Sequence, residues 1–201
     1  SFTPEECLEA VREREENPTI EILDDPEKRT AELLADGNPV AWFQGRMEFG
    51  PRALGCRSIL GCPSIEGISD RINEQIKYRE RWRPFCPSVL DSVAQDLLRT
   101  DHPAPYMTYT FEVADHWKPR IPEVVHEDGT ARAQVVDRKT NPKYHRLLRE
   151  LEKLTGNGVV LNTSLNRRGE PMVCTPGDAL NMFFACDLQY LVLENVLVHK
   201  K

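Results

Sequence analysis

The amino-acid sequence predicts an α/β domain built on a mixed sheet. Apolar residues recur at helical spacing in some segments, as in Leu147, Leu151 and Leu154, whereas residues 130–136 alternate as a strand does. These segments are interleaved along the chain, which is typical of helices packed on a sheet. With 201 residues, of which 40% are hydrophobic and 29% are charged, the chain can bury a core as one domain.

Helices are expected where a side chain that can cap a helix N-terminus is followed directly by proline. The first such helix should run to about residue 16 and stop before Asn17, and the second should end near Gly37. Isoleucines at helical spacing predict a helix over residues 69–77, and another is expected over residues 92–99. The capping pairs are Thr3-Pro4, Asp25-Pro26, Asn141-Pro142 and Thr175-Pro176.

Strands are expected where short apolar or alternating runs are bounded by turn residues. The run at residues 40–43 is apolar throughout, so it should be buried, and a loop rich in glycine, arginine and proline follows it. In chain order the predicted extended segments are residues 40–43, 58–62, 84–90, 106–113, 130–136, 159–161 and 190–198.

The domain organisation that we expect divides the chain after residue 24. Residues 1–24 should be a linker and helix that continue from a missing N-terminal domain, and residues 25–201 should form the domain itself. The chain starts with Ser1 rather than methionine, which we interpret as a fragment. Its first residues are acidic and polar, unlike those of a secretory signal.

Composition excludes several classes of protein. The six cysteines form no C-x-x-C pair, so we expect buried free thiols and a cytoplasmic location. A net charge of -6 argues against general affinity for nucleic acid or anionic membrane. The longest apolar runs are too short to cross a bilayer.

One stretch of the acidic chain is basic. Residues 44–84 contain seven arginines and one lysine but only five acidic side chains, a net charge of +3. A local excess of positive charge predicts a site for a small anion.

Two polar segments lie inside this basic stretch. In Gly45-Arg46-Met47-Glu48-Phe49-Gly50-Pro51-Arg52-Ala53-Leu54-Gly55, backbone N–H groups and arginines could converge on phosphate, although neither a Walker loop nor a Rossmann fingerprint is present. The alternative is a surface turn with solvated arginines. In residues 77–85, four basic side chains alternate along the chain and favour an anion, or else ion pairs with nearby carboxylates; they are Lys77, Arg79, Arg81 and Arg83.

Two further polar segments lie beyond it. In residues 126–132, Asp128-Gly129 predicts a turn, and His126 is interpreted as a hydrogen-bonded turn residue, since the spacing fits no zinc or EF-hand site. Arg132 is the stronger functional candidate. In residues 161–171, Ser164 and Asn166 follow a buried strand and could contact one phosphate or ribose, and the alternative is an ordinary Asx or Ser turn.

Together these segments resemble the C-terminal region of the O-carbamoyltransferases that modify nodulation factors, cephalosporins and aminoglycoside or ansamycin antibiotics. The resemblance lies in GRMEFGPRALGCRSIL (45–60), NEQIKYRERWRPFCPSVL (73–90), HEDGTARAQVV (126–136) and LNTSLNRRGEP (161–171). In that family this region is a YrdC-like domain with a K-x-R and S-x-N signature, here Lys77/Arg79 and Ser164/Asn166. The resemblance implies a twisted mixed sheet flanked by helices, with a basic concave pocket.

The same resemblance implies a reaction. Carbamoyl phosphate is cleaved to carbamate, which attacks the α-phosphate of ATP and expels pyrophosphate to give carbamoyl-adenylate. Magnesium accompanies ATP and is held by phosphates and water, so no protein metal ligands are expected. The carbamoyl group then passes to a hydroxyl acceptor in an N-terminal, actin-like domain of the same polypeptide, and the small-molecule substrates are the expected partners.

The resemblance also assigns residues. Lys77, Arg83 and Arg132 match the catalytic positions, and the nucleotide-binding set comprises Arg52, Lys77, Arg79, Arg132, Ser164 and Asn166. Cys56, Leu165 and Trp82 depart from the family pattern at positions that we expect to serve packing.

Two other functions compete with this one. A threonylcarbamoyl-adenylate synthase of tRNA modification shares the two short signatures but lacks the longer segments at 45–55 and 126–132. A non-catalytic RNA-binding module could use the same basic surface, but the acidic pI of about 5.5 disfavours it.

Overall fold

A computed structural model describes residues 1–78 and 84–200. An eight-stranded mixed sheet runs through the domain in the order β1-β10-β9-β2-β3-β8-β4-β7, and a separate two-stranded sheet pairs β5 with β6. The pairs β2/β9 and β4/β7 are parallel, and the other neighbours in the large sheet are antiparallel. The predicted α/β architecture with a mixed sheet is confirmed.

The regular elements follow the sequence in close alternation. The helices are α1 (Pro4–Arg12), α2 (Pro26–Ala35), α3 (Ile68–Ile72), α4 (Asp91–Leu98), α5 (Pro142–Thr155) and α6 (Pro176–Phe184). The strands are β1 (Thr19–Ile22), β2 (Val40–Phe43), β3 (Arg57–Gly61), β4 (Cys86–Leu90), β5 (Phe111–Glu112), β6 (Thr130–Ala131), β7 (Gln134–Val136), β8 (Val159–Ser164), β9 (Tyr190–Leu193) and β10 (Val196–His199).

Helices cover both faces of the large sheet because its central strands are apolar on both sides. In β2, Val40 and Trp42 pack into one core with α2 and α5, while Ala41 and Phe43 pack into the other with α1, α3, α4 and α6. This two-residue alternation between two cores explains why the strand is buried at every position. Within the part of the chain that the structure describes, no helix has the length and apolarity needed to span a bilayer.

The N-terminal segment packs on the same sheet as the rest. Cys7 and Val11 of α1 are buried in the core, and β1 pairs antiparallel with β10 at one edge. The predicted first helix ends at Arg12 rather than near residue 16, and beyond its end the Arg14 side chain donates to Glu16 and Asn181. Strand β1 was not expected. The origin of residues 1–24 in an upstream domain stays a prediction.

Two predicted elements are broken in the structure. Residues 130–136 form two short strands that belong to different sheets, with Arg132 between them. Of residues 106–113, only Phe111–Glu112 forms a strand. A third difference, in the helix expected over residues 69–77, bears on the site.

Candidate functional site

Segments from distant parts of the chain meet at one cavity of about 360 Å³. Strand β8 ends there at Ser164, its antiparallel neighbour β4 begins there at Cys86, and Arg132 enters from the segment between β6 and β7. Residues 51–53, from the loop after β2, close a further side. Polar side chains thus lie together at the ends of neighbouring strands in the sheet, where α/β folds commonly bind ligands.

Lys77, Ser164 and Asn166 form one hydrogen-bonded cluster beside this cavity. The Lys77 ammonium donates to the main-chain oxygens of Ser164 and Asn166 at 2.6 and 2.8 Å, and to Oδ1 of Asn166 at 2.8 Å. The Ser164 hydroxyl donates to the same Oδ1 at 2.7 Å. Lys77 is only 6% exposed, and a buried ammonium is tolerated only when such acceptors surround it. The cluster therefore fixes a positive charge next to Ser164, a cavity-lining residue.

A π-helical turn at Asn73–Lys77 brings Lys77 to this position. It continues directly from α3 and closes with the Tyr78 N–H donating to the Asn73 carbonyl at 2.7 Å. The Tyr78 carbonyl in turn accepts from Arg168 Nη1 at 2.7 Å, which ties the turn to the loop after β8. The sequence predicted an ordinary α-helix over these residues. The structure instead has a π-helical turn, a wider turn that is rare and often found at functional sites.

Two arginines face the same cavity from different segments. Arg132 is half-buried between the fully buried Ala131 and Ala133, and its Nη2 donates to Cys86 Sγ at 3.0 Å. Its Nε has no hydrogen-bond partner among the described residues. Arg52 is exposed at the cavity rim. A guanidinium with unused donors beside a cavity fits an anion with several oxygens.

Glu48 organises the loop that carries Arg52. Its Oε1 accepts from the backbone N–H groups of Leu54 and Cys56, both at 2.7 Å, and of Arg57 at 3.3 Å. The sequence suggested that N–H groups of this loop converge on phosphate. In the structure, the N–H group of Leu54 and those of the two residues that follow the segment converge on a carboxylate of the protein instead. Glu48 therefore shapes the loop, and the arginines remain its cationic groups.

We predict that Glu48→Ala destabilises the domain by about 2 kcal/mol or more, because partly buried N–H groups lose their acceptor. Glu48→Gln keeps one amide oxygen in place and should cost less than about 1 kcal/mol. Urea unfolding at equilibrium measures both variants. Equal midpoints for the two would contradict this account of the loop.

Arg57 belongs to the basic stretch of the sequence but supports the structure rather than facing the cavity. It is 1% exposed and donates to the carbonyls of Gln44, Gly45, Cys56 and Cys174. Its guanidinium lies 3.5 Å from the ring centroid of Phe43, and burial lowers the pKa of Arg57. It therefore connects the loop after β2 to the segment before α6.

Two cavity residues were not assigned functional roles from the sequence. Asn162 is 3% exposed, and its amide nitrogen donates to the Ala53 carbonyl at 3.1 Å and to Ser88 Oγ at 3.0 Å, while its Oδ1 has no partner among the described residues. His126 lines this cavity and a neighbouring one of about 260 Å³. Asn162 could have been noticed in the sequence, because it is a polar amide that directly follows an apolar strand segment. A buried polar side chain requires hydrogen-bond partners.

The structure brings most of the predicted site residues together. Arg52, Arg132 and Ser164 line one cavity, and Lys77 and Asn166 are linked to it through Ser164. Four residues of the predicted basic segment lie outside the described residues: Arg79, Arg81, Trp82 and Arg83. In residues 1–78 and 84–200, no group of three or more His, Cys, Asp or Glu side chains is arranged to hold a metal ion.

Solved structures of the proteins HypF and Sua5 share this fold. Full-length HypF in the phosphate- and nucleotide-bound form superposes with a TM-score of 0.55 at 15% identity, over 92% of this chain and 23% of that one. Sua5 from P. abyssi, complexed with L-threonine, gives a TM-score of 0.56 at 14% identity, over 87% of this chain and 47% of that one. These likenesses confirm the YrdC-like fold.

Relatives of higher identity are found by sequence. Nodulation protein NolNO of Sinorhizobium fredii is 42% identical over 185 residues, which cover 90% of this chain and 27% of that protein. The Synechocystis protein sll1178 is 46% identical over 192 residues, 86% of this chain and 31% of that protein. The chain thus spans less than a third of the length of each of these relatives.

The family match covers most of the fold described above. A family model described as the carbamoyltransferase C-terminus matches residues 31–200, from α2 to the residue after β10. That range includes every residue named at the cavity. By this match and by its relatives, the chain belongs to the carbamoyltransferase C-terminus family.

Proposed function

We propose that this domain binds ATP and carbamoyl phosphate and joins them into carbamoyl-adenylate, the activated donor for O-carbamoylation of a hydroxyl acceptor. The observation that carries the proposal is the cavity itself. Arg52 and Arg132 line it together with Ser164, and Ser164 is held by the buried ammonium of Lys77. Two arginines and a hydroxyl line one hollow, with a buried ammonium behind the hydroxyl, and this arrangement suits a ligand that carries several phosphate oxygens.

The chemistry requires fixed cations rather than a side-chain nucleophile. Attack of carbamate on the α-phosphate adds negative charge to non-bridging oxygens, and preorganised donors stabilise that charge more than they stabilise the ground state. The charged side chains that line the cavity are arginines, which bind phosphate oxygens but repel a metal cation. Mg²⁺ would therefore be held by the ATP phosphates and water. The phosphate- and nucleotide-bound form of HypF, a structure of the same fold, supports this choice of ligand.

The complete transfer reaction needs more than this domain. We propose that an N-terminal, actin-like domain of the same polypeptide holds the acceptor, in line with the small share of the relatives' length that the chain covers. All six cysteines are free, which supports a reducing compartment, the cytoplasm.

The likeness to Sua5 with L-threonine supports one alternative, a threonylcarbamoyl-adenylate synthase. Pyrophosphate release from ATP separates the two functions. Release that depends on carbamoyl phosphate supports our proposal, whereas release that depends on L-threonine and bicarbonate supports the alternative. Release with neither donor set would contradict both.

Arg132→Ala is expected to lower carbamoyl-phosphate-dependent pyrophosphate release by about 100-fold, because one fixed donor to developing phosphate charge contributes roughly 3 kcal/mol. Arg132→Lys should recover little, since a lysine cannot offer paired donors. Exposed Arg138, just after β7, provides the matched control, and Arg138→Ala should leave the rate unchanged. An Arg132→Ala protein with the wild-type rate would remove this residue from the site.

A further inference from the structure

The turn before β6 fixes the hydrogen bonding of His126. The main-chain N–H of His126 donates to the Thr130 carbonyl at 2.7 Å, and the Gly129 N–H donates back to the His126 carbonyl at 2.9 Å. The side chains are linked as well: His126 Nδ1 lies 3.1 Å from Thr130 Oγ1, and that hydroxyl lies 2.6 Å from Asp128 Oδ1. The sequence-based prediction of a turn with a hydrogen-bonded histidine is confirmed, and the ring also borders the cavity.

This chain of contacts determines where the imidazole carries its proton. Asp128 also accepts the Thr130 backbone N–H at 3.0 Å, and the two bonds from Thr130 hold the pKa of Asp128 below its usual value. A carboxylate can only accept, so the Thr130 hydroxyl donates to it and must itself accept from Nδ1–H of His126. The tautomer with a proton on Nδ1 and a bare Nε2 is the one that satisfies Asp128, the Thr130 hydroxyl and Nδ1 together.

The bare nitrogen has no hydrogen-bond partner in the described part of the chain. Nε2 of His126 is buried from solvent and unpaired, which a native fold tolerates where a ligand or a function requires it. His126 lines the cavity that holds Arg52, Arg132 and Ser164. A proton acceptor therefore borders a site whose two arginines, Arg52 and Arg132, can only donate.

We propose that Nε2 of His126 is the general base that activates water for the cleavage of carbamoyl phosphate. This inference rests on the proposed function of the cavity. It assigns Thr130 and Asp128 the role of positioning residues, which act on the ligand only through the imidazole.

The step balances with the groups at hand. A water oxygen attacks the carbonyl carbon of carbamoyl phosphate while one of its protons passes to Nε2. The bond from that carbon to the bridging oxygen then breaks, and orthophosphate leaves with the proton that His126 returns to it. The remaining product, carbamic acid, loses its own proton to solvent and is carbamate, the nucleophile of the next step.

The surroundings favour the neutral ring that a base needs. Burial lowers the pKa of His126, Arg132 lowers it further, and Asp128 opposes both. The other charged groups around the ring are Arg52 across the first cavity, Asp70 and Glu123 across the second, and Glu127 beside it in the chain. Carbamoyl-phosphate cleavage should therefore lose rate with acid only below the usual pKa of imidazole, as Nε2 becomes protonated.

The test uses the full chain and two sources of carbamate. Carbamoyl phosphate requires the cleavage step, whereas ammonium bicarbonate solutions contain carbamate at equilibrium and bypass it. For His126→Gln we expect carbamoyl-phosphate-driven pyrophosphate release to fall by about 100-fold, after subtraction of enzyme-free decay. Bicarbonate-driven release and the Kd for ATP should stay within about twofold of wild type. His116→Gln, a histidine paired with Asp96 on the surface, is the matched control.

Thr130→Val tests the positioning role. It keeps the shape of the side chain but removes the hydroxyl, so the acid limb of the carbamoyl-phosphate-driven pH profile should shift while the bicarbonate-driven profile stays the same. An equal loss from both carbamate sources in His126→Gln, or no loss at all, would overturn the assignment of the base. A wild-type chain that releases no pyrophosphate from either source would overturn the proposed function itself.

Discussion

Lys77→Met is expected to lower carbamoyl-adenylate formation by about 1000-fold, the largest catalytic effect that this cavity offers. Methionine keeps much of the buried apolar stem but removes the ammonium that binds the main-chain oxygens of Ser164 and Asn166. The change therefore takes away a positive charge and also frees the end of β8, where Ser164 faces the ligand. Pyrophosphate release measures the rate, and urea unfolding checks that the fold survives.

Ser164→Ala measures the contribution of the Ser164 hydroxyl while the positive charge of Lys77 stays in place. The serine hydroxyl is a neutral group, so its loss should cost roughly 0.5–1.5 kcal/mol, well under the cost of losing Lys77. In the double variant the two effects should not add, because Lys77 and Ser164 share one hydrogen-bonded cluster. Exposed Lys153 on α5 provides the control, and Lys153→Met should be silent. A Lys77→Met rate within tenfold of wild type would refute the role given to the ammonium.

Elements specified by local chemistry could be predicted from the sequence. Each of the four capping residues, Thr3, Asp25, Asn141 and Thr175, accepts a backbone N–H at the start of its helix, three residues on. The leucine stripe of α5 is buried as its spacing indicated, apart from Leu154, which is exposed. These features depend on residues within one or two turns, so a single segment contains the information.

Elements specified by distant contacts were missed. Strand β1 is short and mostly exposed, and its pairing with β10 joins residues at opposite ends of the chain. The π-helical turn likewise reflects a bond from Lys77 to residues far along the sequence, at the end of β8. No local pattern in either segment encodes the partner.

The site shows the same division. Arg52, Arg132, Ser164 and Asn166 could be singled out because they lie in basic or polar segments next to predicted strands, where α/β sheets commonly bind ligands. The bare Nε2 of His126 could not, because the tautomer follows from the direction of two hydrogen bonds. The segment at residues 126–132 could be recognised in the sequence, but the position of the proton on the His126 ring could be assigned only from the structure.

The close approach of Gly55 to Tyr144 gives the largest effect on stability. A Cβ added at Gly55 would lie 2.2 Å from Cδ1 of Tyr144, and the φ of +104° is one that side chains rarely adopt. The Tyr144 ring is fully buried against the sheet, so it has no room to withdraw. Strain and overpacking each cost roughly 1–3 kcal/mol, so we expect Gly55→Ala to destabilise the domain by about 4 kcal/mol.

Gly50→Ala is the matched control, because Gly50 has a similar φ of +126° but no atom within 4 Å of the added Cβ. Urea midpoints of the two variants therefore differ by the overlap with Tyr144 alone, and equal midpoints would contradict the packing argument. Gly55 is also fixed by its polar groups, since its carbonyl accepts from Trp42 Nε1 and Gln44 Nε2. The loop that carries Arg52 thus rests directly on the buried face of α5, and a methyl group at its base should weaken ATP binding as well as the fold.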